Sequence, residues 1–152
     1  MRGVAADIVR EAFRRMGRPV RIGIYPWGRS LSMAESGQAD AIFTIDKTSE
    51  REARLDHSRQ VLMPQEVSLF VWQDSPIRFD GWLAHLAGYR FGVVRSVSYG
   101  AVFNAAARQG GIHIAETAAS GEQKMDKLLA RRSDILISNR LGARDIIRRQ
   151  HA

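Results

Sequence analysis

A chain of 152 residues with 45% hydrophobic and 26% charged residues has the composition of a globular protein that can bury a real core. The absence of cysteine excludes disulfides, thiolate nucleophiles and cysteine-ligated zinc, and no apolar run approaches the roughly 18–20 residues that span a bilayer. A formal charge of +7 raises nucleic acid as a partner, but the 23 basic residues are scattered rather than gathered into a stripe with interleaved aromatics.

Only Lys47, Lys124 and Lys127 are lysines, and the pairs Arg14-Arg15, Arg131-Arg132 and Arg148-Arg149 fall at the polar edges of expected helices. Solvated arginine-rich helix faces account for the charge, and no nucleic-acid partner is expected. Met1-Arg2-Gly3-Val4 leads straight into an amphipathic helix, so this sequence shows no signal peptide.

Residues 7–16 form the first expected helix, with Ile8, Ala12 and Met16 on one face beside Val9 and Phe13. Gly17 suits the residue after its C-cap, and Pro19 prevents continuation. Val20, Ile22 and Ile24 then alternate with Arg21, Gly23 and Tyr25, the pattern of a short strand. A short helix through Leu31 and Ala34 ends near Gly37, and a second strand is expected from Ala41 to Ile45. Thr48 or Ser49 can cap another short helix, with Ser49 and Glu52 in capping-box spacing. Residues 66–72 read as a β-branched and aromatic strand.

Gln73-Asp74-Ser75-Pro76 is the best linker, and it parts the chain into halves 1–74 and 75–152. Beyond it, Asp80 can cap a short helix ending at Gly88, and Tyr89 to Val94 make a strand. A helix over 99–109 stops at Gly110-Gly111, and a strand covers 112–116. Ser120 and Gln123 open a helix through Met125, Leu128 and Leu129, followed by a strand over 134–138 and a last helix over 141–149. Strands alternating with short helices call for an α/β fold with mainly parallel sheets, here as two small α/β lobes joined by a hinge. Ligands of such sheets lie beyond the carboxyl ends of the strands, which points to the loops 25–30, 43–51, 95–100 and 137–141.

At those loops the chain resembles the bacterial extracellular solute-binding proteins, family 3, the polar amino acid binders of ABC transporters. The matching segments in the first half are Gly3-x-x-x-Asp7-Ile8-Val9, Pro26-Trp27-Gly28-Arg29, Gly37-Gln38-Ala39-Asp40-Ala41, Lys47-Thr48-Ser49-Glu50-Arg51, Leu55-Asp56-His57-Ser58 and Ser68-Leu69-Phe70-Val71. In the second half they are Gly92 to Gly100 and Leu128-Leu129-Ala130-x-x-x-Asp134. Their joint order covers nearly the whole chain.

The resemblance implies a two-lobed fold of the periplasmic-binding-protein-like class II. It also implies a periplasmic location, a membrane permease of an ABC transporter as partner, and closure of the lobes around a small carboxylate-bearing solute, an amino acid. Family members run longer, so the first lobe is expected to lack its opening strand and the chain its closing segment. Oligomerisation or strand exchange would complete that lobe.

Arg51 corresponds to the family arginine that pairs with the solute carboxylate, a task suited to its two parallel donors. Ser98, Ser96 and Tyr99 occupy the loop that opens a second-half helix, where hydroxyls and free amides can share the carboxylate. Thr44 ends a strand at a position that often contacts solute in the family. Asn139 stands where these binders commonly carry an aspartate for the α-ammonium group, and an amide cannot supply that charge. Trp27 and Tyr25 can line the cleft as an apolar wall, and Asp46 in the same loop can meet a cationic solute.

His57, His85, His113 and His151 are isolated, with no metal-type spacing. There is no Gly-x-Ser-x-Gly elbow, P-loop or dinucleotide fingerprint, so neither catalysis nor a cofactor is expected. Two alternatives share the fold: a ligand-sensing module of a membrane receptor, and a cyclohexadienyl-dehydratase-like enzyme using a cleft carboxylic acid.

Overall fold

A computed structural model of the chain describes residues 3–150. The chain divides after Gln65 into two compact units.

The first unit contains helices α1 (Val4–Arg15), α2 (Trp27–Glu35) and α3 (Ser49–Glu52). Helix α1 ends as its sequence suggests. Gly17 takes φ 67°, its amide reaches the Arg14 carbonyl at 3.1 Å, and the Arg18 amide reaches Phe13 at 3.0 Å. These two bonds close a Schellman motif, whose left-handed residue costs least when it lacks Cβ. On the polar face Glu11 receives both Arg14 and Arg15, and the two guanidinium groups, Arg14 foremost, pull its carboxyl down to about 2. Helix α3 is capped by Thr48 rather than Ser49: the Thr48 hydroxyl accepts from the Arg51 amide at 3.3 Å.

The strands expected over 20–25 and 41–45 are absent among the described residues. No backbone ladder joins either segment to a neighbour, and an extended stretch without a partner is not a strand. The burial of this unit reflects that. Ala6 and Arg51 are its only buried described residues.

The second unit holds β1 (Val67–Phe70), β2 (Arg90–Val94), α4 (Ala101–Arg108), β3 (His113–Ala118), α5 (Gly121–Leu129), β4 (Ile135–Asn139) and α6 (Arg140–Gln150). The strands form one sheet in the order β1-β4-β2-β3. Pairs β2–β3 and β2–β4 are parallel, as expected, and β1 runs antiparallel against β4 in the register Val67–Asn139 to Phe70–Leu136. Because its amides pair with β4, β1 belongs to this second unit. The division therefore falls ahead of Gln73–Pro76, a segment expected to be the hinge but folded here as a turn closed by the Ser75 amide on the Trp72 carbonyl.

Two-residue periodicity distributes the core over both faces of the sheet. Ile135 and Ile137 of β4, with Phe91 of β2, join Ile77, Leu86, Tyr99, Phe103 and Ile112 in one cluster, with Leu69 and Val71 packed against it. Leu136 points the other way, among Met125 and Leu128 of α5 and Ala143 and Ile146 of α6, with Phe70 and Trp72 beside them. The β2–β3 register slips between Phe91 and Gly92. A Cβ at Gly92 would meet the Ser133 hydroxyl at 3.0 Å, so a side chain here would need Ser133 to give way by a few tenths of an ångström.

Helix α5 is capped by Ser120, whose hydroxyl accepts from the Gln123 amide at 3.2 Å, while the Gln123 side chain accepts from the Ala119 amide at 2.7 Å. The reciprocal bond thus lands one residue earlier than in the standard box. Ser120→Ala is expected to lower stability by about 1 kcal/mol, read as a lower urea midpoint at unchanged slope.

Candidate functional site

In the first unit the short helix α3 holds Arg51 from behind. With its own amide on the Thr48 hydroxyl, Arg51 is only 7% exposed. Its Nη1 donates to the Asp46 carbonyl at 2.9 Å, and its guanidinium carbon lies 5.6 Å from the centre of the Trp27 ring. Stacking on an indole face together with a carbonyl anchor fixes the plane of the fork. Glu52, the neighbouring acid, pairs with Lys47 at 2.7 Å.

Thr44 has φ 61°, a left-handed conformation unusual for a β-branched residue, and its hydroxyl donates to the Phe43 carbonyl at 2.6 Å. Tyr25 is exposed, with the Arg29 guanidinium 4.8 Å over its ring. The structure therefore brings Arg51 and Trp27 together, and sets Tyr25 against Arg29 instead.

In the second unit the loop after β2 carries the other candidates. Ser96 also takes φ 61°. Strained non-glycine residues of this kind gather at ligand clamps and switches. Ser98 accepts from the Asn104 side-chain amide at 2.8 Å, while the Asn104 carbonyl oxygen accepts from the Tyr99 amide at 3.2 Å. Asn104, on α4, thus brackets the loop from inside. Sequence reasoning passed over it, although an asparagine between Phe103 and a run of alanines was a visible signal.

Tyr99 does not face outward. Its ring is buried edge-on against Phe103 at 5.6 Å, its oxygen accepts from the Val94 amide at 2.8 Å, and burial pushes its phenol up to about 12. Asn139 ends β4 and accepts the Gly142 amide at 3.0 Å, a cap for α6. Lys124 on α5 was also missed. It shares the stripe of Met125 and Leu128, is 2% exposed, donates to the Ile137 carbonyl and stands at hydrogen-bond distance, 3.3 Å, from the Tyr99 oxygen. Among the described residues no group of three His, Asp or Glu side chains could hold a metal ion.

The family model for bacterial extracellular solute-binding proteins, family 3, matches residues 1–140. The chain belongs to this family. No curated relative matches its sequence.

Solved structures similar to this family 3 member confirm the α/β fold. An ancestral arginine-binding protein bound to arginine is similar with a TM-score of 0.82 at 17% identity, over 97% of this chain and 64% of that one. The substrate-binding protein of an amino acid ABC transporter gives a TM-score of 0.72 at 18% identity, over 90% of this chain and 58% of that one. A histidine kinase sensor domain with similarity to periplasmic binding proteins gives 0.80 at 20% identity, over 98% and 63%. The chain thus spans less than two thirds of the length of each of these three neighbours.

Proposed function

We propose that this chain is the solute-binding component of an ABC-type uptake system, acting outside the cytoplasmic membrane with a membrane permease as partner. Its solute is a small polar carboxylate, an amino acid. Arg51 takes the carboxylate, with Trp27 as the wall beside it, and Thr44 and Asp46 belong to the same loop. Ser96, Ser98 and Asn139 form the contact set of the second unit.

The observation that carries this reading is the Arg51 guanidinium, buried, stacked on Trp27 and anchored on Asp46 in a member of a solute-binding family. A fork fixed in this way loses little freedom when it closes on two carboxylate oxygens. Asn139 in place of an acid means that the solute's amino group meets an amide there rather than a full negative charge.

Thermal-shift and calorimetric titration with L-arginine, L-glutamine, agmatine and short dicarboxylates tests the reading. One carboxylate-bearing solute is expected to raise the melting temperature saturably, to be recovered unchanged, and to bind on the order of 100-fold more weakly to Arg51→Ala. Equal affinity for agmatine, which lacks the carboxylate, or an unaltered affinity in Arg51→Ala would overturn the role of Arg51.

The likeness to a histidine kinase sensor domain favours one further reading, a ligand-sensing module of a membrane receptor. A membrane-spanning segment and a kinase region in the same gene would decide for it, and an adjoining permease gene for uptake.

A further inference from the structure

Lys124 is the one lysine among the buried residues, and it projects from α5 toward the two central strands. Its amine bonds the Ile137 carbonyl of β4 and stands 3.3 Å from the Tyr99 oxygen, with the Tyr99 ring centre 5.1 Å away. The Tyr99 oxygen in turn accepts from Val94, the last residue of β2. One amine therefore links the middle of β4 to the end of β2, next to the start of the Arg95–Ser98 loop and two residues before Asn139.

The proton count of this cluster favours a neutral amine. A neutral lysine nitrogen has a lone pair that can accept the Tyr99 O–H while one of its own hydrogens goes to the Ile137 carbonyl, and every polar hydrogen except one is then placed. An ammonium has three hydrogens and no lone pair. The Tyr99 O–H then loses its acceptor, and the third N–H has only the cation–π contact with the Tyr99 ring. Buried unpaired donors are costly.

We propose that Lys124 and Tyr99 are positioning residues for the 95–98 loop. They are wired as Val94 N–H to Tyr99 oxygen, Tyr99 O–H to a neutral Lys124 amine, and Lys124 N–H to the Ile137 carbonyl, so that protonation of the amine loosens the loop and weakens solute binding. The second half of this statement rests on the solute-binding reading above; the wiring does not.

Burial draws the Lys124 amine down to about 7, which places the change in a physiological window. Among the described residues no competing charge is bonded to it. On the elements packed against α5, Arg90 of β2 is held by Asp134 and Glu116 of β3 by Lys127 and Arg132. His113 of β3 is exposed, β4 carries no titratable side chain, and on α6 Asp145 is held by Arg149, beside Arg140, which is held by Glu66, and the exposed Arg144 and Arg148. Among the described residues Tyr99 alone is a titratable partner of the amine.

Two measurements on the full chain test the proposal. In the first, NMR follows the backbone amides of Val94 to Ser98 and the Lys124 Cε resonance from pH 5.5 to 9 without any ligand. The amides and Cε are expected to move together with one midpoint near 7, and the amide movement is expected to vanish in both Lys124→Met and Tyr99→Phe. In the second, L-arginine is titrated at pH 6 and pH 8; tighter binding at pH 8 by about tenfold is expected for the wild type, and no pH difference for Lys124→Met.

A Cε resonance that titrates near the ordinary lysine value, or loop amides indifferent to pH between 6 and 8, overturns the wiring. Amides that titrate as stated while L-arginine binds equally at both pH values overturn the link to binding. If the amides titrate and L-arginine does not bind at all, the wiring stands and it is the solute-binding reading for L-arginine that fails.

Discussion

Phe91→Ala is expected to cost the second unit about 3–5 kcal/mol of unfolding free energy. Phe91 is 0% exposed on the central strand β2 and belongs to the cluster formed by Leu86, Phe103, Ile135 and their neighbours. Its ring meets Phe103 edge-on at 5.6 Å, an arrangement with its own small stabilisation beyond the area buried. Truncation removes that contact and leaves a void, which a strand paired on both sides cannot collapse to fill. Urea unfolding followed by circular dichroism should show a lower midpoint at unchanged slope. Phe91→Leu, which keeps most of the volume, should lose under half as much. A loss below about 1 kcal/mol for the alanine variant would mean that β2 does not organise this core.

The wild-type second unit should become more stable as pH rises from 7 to about 9.5, by up to about 1.4 kcal/mol per pH unit. The native Lys124 amine titrates at about 7, below its value of roughly 10.4 in an unfolded chain. Between those limits the unfolded chain holds a proton that the native one does not, so removing protons favours the native state. Below pH 7 both states are protonated and the contribution to the slope disappears.

Tyr99 acts in the opposite sense at higher pH. Its phenol is raised to about 12, so from about pH 10 the unfolded chain releases that proton first and stability falls. The measurement should therefore stop at 9.5. Melting curves across this range should rise for the wild type and stay flat for Lys124→Met. A wild-type profile as flat as that of the variant would mean that Lys124 is charged where it lies.

The second unit was legible in the sequence almost element by element because each of its signals is local. Ser120 three residues before Gln123, Gly110 after a run of alanines, and the apolar run through Phe91 and Val94 each fix an element without reference to distant chain. The segments around Ile22 and Phe43 show why the first unit was less legible. A period of two states which face is apolar and says nothing of where the partner amides come from, and here they come from no described segment.

The candidate site divides in the same way. Arg51 and its cap at Thr48 could be read from neighbouring letters, whereas the Trp27 stack joins residues far apart in sequence. Lys124 was hidden for a different reason. A lysine in a helix is ordinarily a solvated residue, and only its place in line with Leu128 marked it as facing inward. Tyr99 was grouped with Ser96 and Ser98 as a loop residue able to share the solute carboxylate, because a loop position before a helix gives no sign of which way a ring turns.

Indole emission responds to a nearby positive charge, and the three tryptophans of this chain differ in that respect. Trp82 is 70% exposed, Trp27 lies under the Arg51 guanidinium, and Trp72, which donates to the Leu128 carbonyl, lies 4.8 Å from that of Arg131. Two of the three fluorophores are thus charge-tuned, one in each unit. Movement of Arg51 would change the colour of Trp27 alone, and single-tryptophan variants would let each unit be watched optically without a label.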